Sequence, residues 1–183
     1  METTKRISVQ GMCYVGVFAA LMAVCSWMSI PSEPPFTLQT LGVFLTIGLL
    51  GGKLGTLAVL VYVLLGAFGL PVFANFSGGF GALLSASGGY ITGFLFAALT
   101  MWGLERLLGR RPWVLLVSML AGLAICYAFG TAWYMFVYLR STGPVELLTV
   151  LGWCVFPFLV PDLLKIALAM LITARLGHLC AIR

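Results

Sequence analysis

Asp162 and Lys165 stand three positions apart in the run PDLLKIALA, whose remaining residues are apolar. On a helix that spacing places both side chains on one face. A carboxylate held there can accept from ligand N–H groups, while an ammonium can donate to a ligand carbonyl or carboxylate. A plainer reading is also open. The two charges neutralise each other, with Asp162 in the first turn of a helix whose dipole favours a carboxylate. That reading gives no reason for a lysine about a turn into an apolar span, where a charge costs roughly 2.5–3.5 kcal/mol at mid-bilayer. The pair is therefore read as a ligand site.

Other hydrogen-bonding residues fall where they can join it. Thr37, Gln39 and Thr40 follow Pro35, and Tyr90 and Thr92 follow Gly88-Gly89. The segment Val72 to Ser87 reads VFANFSGGFGALLSAS and sets Asn75 among Phe73, Phe76 and Phe80. Its glycines permit tight turns and close backbone approach. Its aromatic residues fit either a loop lying at headgroup level or a lid over a substrate site. Folded over a bundle, these loops would bring Gln39, Asn75, Tyr90, Asp162 and Lys165 together as a few polar groups in an apolar wall.

The elements that must position them are membrane helices. Hydrophobic residues make up 62% of the 183 and charged residues 8%, against roughly 25% charged in a soluble domain. Fifteen charged side chains cannot keep a soluble surface wet, and disorder needs the opposite composition. The mean hydropathy is +1.12. An all-α polytopic membrane protein remains, a single integral domain over 1–183. Spans of about 20 apolar residues, broken at Pro, Gly and charge, fall near 11–30, 37–50, 54–70, 88–108, 113–139 and 160–182. A short interfacial or re-entrant helix is expected near 145–155, with Pro161 in the first turn of the last span, where its missing N–H costs nothing.

Charge placement gives an orientation. With the amino terminus inside, Lys5, Arg6, Lys53, Arg106, Arg110, Arg111, Arg175 and Arg183 fall on the inner side and only Arg140 on the outer. Both termini are therefore expected in the cytoplasm, and the net charge of +5 reflects topology rather than nucleic acid. In the first span, Gly16 with Ala20 and Ala19 with Ala23 repeat small residues at four-residue spacing, a pattern that lets helices approach closely in lipid. Such a face suits docking to another membrane subunit.

Several chemistries find no support. GLLGGK at Gly48 has the wrong spacing for a phosphate loop and lacks its Ser or Thr. The single histidine, His178, lies near the end of the last helix, and five cysteines show no CxxC spacing, so neither a metal site nor a histidine triad is expected. No cofactor and no enzymatic activity are assigned.

Three segments, PFTLQTLG from Pro35, GLPVFANFSGGFGALLSASGGYITGF from Gly69 and PFLVPDLLKIALA from Pro157, resemble the BioY family, and the likeness runs in order along nearly the whole chain. Members of that family are biotin-specific substrate-binding (S) subunits of energy-coupling factor (ECF) transporters. The resemblance implies a six-helix bundle with biotin bound near the outer face under a loop. It also implies two ATPases and a transmembrane coupling subunit as partners, in a bacterial or archaeal plasma membrane. It places the acidic and basic positions of the family's last-helix motif on Asp162 and Lys165, and further contacts on Gln39 and Tyr90. Asn75-Phe76 stands where small residues are commoner, and VPDLLK replaces PGDLLK. On this reading Asp162 accepts from the ureido N–H groups and Lys165 donates to the ureido carbonyl. Phe36, Phe73 and Tyr90 pack against the rings. An outer-loop backbone or Arg140 meets the valerate, and Ala19 and Ala23 meet the coupling subunit. The alternatives are an S subunit for another vitamin, a self-contained facilitator or channel, and an intramembrane enzyme.

Overall fold

A computed structural model describes residues 8–30, 32 and 34–177. The expectations for His178 and for Lys5, Arg6 and Arg183 lie outside those residues. Helix α1 (Val9–Trp27) starts where the Ser8 side chain accepts from the Gly11 N–H at 3.1 Å, a standard N-cap. A two-residue antiparallel ribbon, β1 (Ser29–Ile30) and β2 (Phe36–Thr37), then leads into α2 (Gln39–Leu50) and α3 (Gly52–Ala67). A loop containing a 3₁₀ turn (Ala74–Phe76) and the short helix α4 (Phe80–Leu84) precedes α5 (Gly88–Leu108) and α6 (Pro112–Ser141). Helices α7 (Leu147–Cys154) and α8 (Phe156–Leu176) complete the order.

Four helices, α1, α5, α6 and α8, are long and apolar enough to cross a membrane, while α2 and α3 are apolar but shorter, at 12 and 16 residues. The sequence predicts six crossings; among the described residues, length and hydropathy establish four of them. Large apolar side chains such as Val17, Leu64, Leu116 and Leu171 face outward, as lipid contact allows. Helix α2 differs, being buried along its whole length between α1, α3 and α8. A buried helix end leaves orphan carbonyls. Here Arg110 answers them, its Nη2 donating to the carbonyls of Gly48 at 2.7 Å and Leu49 at 3.0 Å. Glu105 Oε2 accepts from the Gly52 N–H at 2.8 Å, anchoring the start of α3.

The last helix begins earlier than the sequence suggests. It starts at Phe156 with Pro157 in its first turn, and Pro161 lies inside it. Lacking an N–H, Pro161 has nothing to donate to the carbonyl of Pro157 four residues back. Asp162 is consequently not a first-turn residue, and its carboxylate is held by side-chain partners rather than by the helix terminus.

Candidate functional site

At the end of the bundle bearing the ribbon and the Val72–Ser87 loop lies a cavity of about 360 Å³. Helices α2, α5, α6 and α8 form its walls, and Asp162 and Lys165 are the charged side chains among its described lining residues. Lys165 Nζ donates to Asp162 Oδ1 at 2.7 Å and to the Thr37 carbonyl at 2.7 Å. Asp162 Oδ2 accepts from the Tyr127 hydroxyl at 2.6 Å. Both charges are buried, at 3% and 6% exposure. Burial at that level demands satisfied partners, and each element supplies one. The ribbon register of Ser29 with Thr37 presents the Thr37 carbonyl, α6 brings Tyr127, and α8 carries the pair itself. Since the pair is formally neutral, it offers a polar surface of fixed geometry, with carboxylate lone pairs and one ammonium N–H beyond the two bonds named.

The cavity brings together the five residues expected to converge, Gln39, Asn75, Tyr90, Asp162 and Lys165, with Thr37 and Thr40 beside them. Gln39 Nε2 donates to the Tyr62 hydroxyl at 2.8 Å. The Tyr90 hydroxyl lies 3.4 Å from Thr131 Oγ1, and its ring rests on Gly130, where any Cβ would overlap it. Asn75 takes a left-handed conformation with φ 55°, which an Asn tolerates better than most residues, and its Oδ1 accepts from the Ser29 hydroxyl at 3.1 Å. Phe36 stands behind the lining. It stacks on Phe158 with centroids 5.8 Å apart, and its ring lies 4.4 Å from Lys165 Nζ, a cation–π contact.

Phe73 takes another place. It is fully buried, outside the cavity lining, edge-on to Tyr62 at 5.6 Å and against Gly66. It pins the loop to α3 rather than meeting a ligand ring. Its neighbours Phe76 and Phe80 are exposed, Phe76 stacking on Trp27 with centroids 5.2 Å apart. The loop has two sides. Ala74, Asn75, Ser77, Ala82 and Ser85 close the cavity, while aromatic rings on its far side face out. Trp133 of α6 supports it, its Nε1 donating to the Ser85 carbonyl at 3.0 Å. Arg140 lies over the Phe136 ring at 4.3 Å and is not a lining residue.

Sequence reasoning missed Tyr127, Phe94, Leu123, Cys126 and Phe158, all of which line the cavity. Tyr127 had one signal, a hydroxyl in the middle of an apolar run; the apolar residues had none. On α1, Ala19 and Ala23 are buried at 2% and 5%, packed into the bundle, so they are not free to meet another subunit. Gly16 and Ala20 are the exposed small residues of that helix, and nothing lies within 4 Å of a Cβ built on Gly16.

The site is thus a chamber at one end of an apolar helical bundle. The fold matches the crystal structure of the S-component for biotin from an ECF-type ABC transporter, with a TM-score of 0.81 and 29% sequence identity over 92% of this chain and 90% of that one. The sequence profile of the BioY family matches residues 1–181. The biotin transporter BioY of Thermotoga maritima is 45% identical over 165 residues, covering 90% of this chain and 94% of that protein. A probable biotin transporter BioY of Pyrococcus horikoshii is 40% identical over 163 residues, covering 88% and 93%. The chain belongs to the BioY family.

Proposed function

We propose that this protein is the biotin-binding S subunit of an ECF-type transporter, with the cavity under the Val72–Ser87 lid as its vitamin site. The observation that carries the reading is the buried Asp162–Lys165 pair, partnered by Tyr127 and Thr37 and facing a chamber in a chain whose family is BioY. Biotin's ureido group offers two N–H donors and one carbonyl acceptor. Asp162 accepts an N–H, Lys165 donates to the carbonyl, and the wall of Ile91, Phe94, Leu123 and Phe158 takes the bicyclic ring. The volume suits this use, since small-molecule pockets hold about 300–1,000 Å³.

Uptake then requires energy from outside the chain, supplied by two ATPase subunits through a transmembrane coupling subunit. The coupling subunit docks on the exposed Gly16–Ala20 face of α1, where small residues allow close approach in lipid. Lys53, Arg106, Arg110, Arg111 and Arg175 gather at the end opposite the cavity, and Arg140 lies at the lid end. The cavity therefore opens outward, with both termini in the cytoplasm. Titration calorimetry of the purified protein tests the substrate: saturable binding of biotin is expected, with no heat from thiamine or riboflavin. Binding of another vitamin in biotin's place would overturn the assignment.

A further inference from the structure

Gln39 ends in an amide, which presents an acceptor or donors to a ligand depending on which way it is turned. The wall behind it settles the direction. Tyr62, on α3, is fully buried and outside the cavity lining. Its hydroxyl donates to the Val72 carbonyl at 3.0 Å. A phenol has one proton, and a carbonyl can only accept. With that proton committed, Tyr62 Oη can only accept from Gln39, so the amide NH₂ must point at it, as it does at 2.8 Å. Turning the amide over would set two oxygens against each other, or take the proton from Val72 and leave a buried carbonyl unsatisfied. The Gln39 backbone is fixed as well, its N–H bonded to Thr37 Oγ1 at 3.2 Å. What remains for the cavity is the amide oxygen.

We infer that Tyr62 is a positioning residue for ligand recognition: it locks the Gln39 amide so that its oxygen serves as a second N–H acceptor beside Asp162. The inference rests on the biotin reading of the site. A ligand with two N–H donors flanking one carbonyl then meets two acceptors, Asp162 and Gln39, and one donor, Lys165. Val72 is the first residue of the lid segment, and Phe73 packs on the same Tyr62 ring. The ring seats Phe73, while the hydroxyl orients the recognition amide.

Titration calorimetry on wild type, Tyr62→Phe, Gln39→Ala and the double variant tests this. The phenylalanine keeps the ring against Phe73 and removes only the hydroxyl. Each single variant should weaken biotin binding by about tenfold, as loss of one oriented hydrogen bond predicts. The double variant should be no weaker than Gln39→Ala, because Tyr62 acts through Gln39. Unchanged affinity in Tyr62→Phe, or a loss that adds fully to that of Gln39→Ala, would overturn the inference. Should Tyr62→Phe fail to fold, biotins methylated at either ureido nitrogen replace it. One isomer should bind wild type and Gln39→Ala equally, and a Gln39→Ala penalty retained for both isomers would overturn the claim. Wild type that binds no biotin would overturn the biotin reading itself, a result distinct from either of these.

Discussion

Asp162 is held from two sides, by Lys165 on one oxygen and Tyr127 on the other. That division matters because each carboxylate oxygen keeps a lone pair for a ligand while its direction is set by a protein donor. A hydrogen bond to a charged group is worth about 1.5–3 kcal/mol, so Tyr127→Phe should lower stability by about that much. It should also weaken biotin binding several-fold by letting the carboxylate turn. Thermal unfolding and titration calorimetry read the two effects separately, and a variant unchanged in both would remove Tyr127 from the site. The acidic and basic residues were legible in the sequence because charge is scarce there: only ten Lys and Arg and five Asp and Glu occur in 183 residues. Tyr127 was not, since its one signal, a hydroxyl in an apolar run, points nowhere until packing of α6 on α8 brings it to the carboxylate. The first-turn role given to Asp162 failed for a related reason. Two prolines four residues apart both suit a helix start, and the chain uses Pro157.

Among the elements, the lid segment shows how packing decides between residues of one type. Phe73, Phe76 and Phe80 look alike in sequence, yet one is fully buried and two are exposed. Gly66 makes the difference, because only a residue without a Cβ leaves room on α3 for the Phe73 ring. The lid begins from that anchor and continues through Asn75 and Phe76, both left-handed at φ 55°. Each such conformation costs on the order of 1 kcal/mol outside glycine, and the Trp27–Phe76 stack and the Ser29–Asn75 hydrogen bond offset it. Gly66→Ala should push Phe73 out of its seat, lower stability by about 1–3 kcal/mol as overpacking does, and speed biotin dissociation by loosening the lid. Stopped-flow displacement of labelled biotin measures the rate, and an unchanged rate would show that Phe73 does not hold the lid. Small-residue spacing in α1 was ambiguous in the same way. Two alanine-like pairs recur, and only packing against α2 and α3 shows that Ala19 and Ala23 turn inward while Gly16 and Ala20 face out.

For the whole molecule, the proposed S subunit, with a chamber at one end and a basic rim at the other, has to hand its cargo across the bilayer with help. The exposed Gly16–Ala20 face is the proposed contact for the coupling subunit. Gly16→Trp with Ala20→Trp should abolish co-purification of the assembled transporter while leaving biotin affinity in the isolated subunit unchanged; a complex that survives would place the contact elsewhere. The class of the molecule and its charge asymmetry were readable from composition and from where Lys and Arg fall. Length and hydropathy establish only four crossings among the described residues, because α2, only 12 residues long, is buried among its neighbours and need not meet the length of a lone span. The central claim is that the Asp162–Lys165 pair recognises biotin in this chamber. Titrating biotin into purified wild type and Asp162→Asn tests it most directly. Asn keeps an oxygen for Lys165, so the fold should survive while one strong N–H acceptor is lost. The account predicts saturable binding to wild type and affinity weakened by more than tenfold, about 1.4 kcal/mol or more, in a variant that still inserts and stays helical. Equal affinity for the two proteins would contradict it.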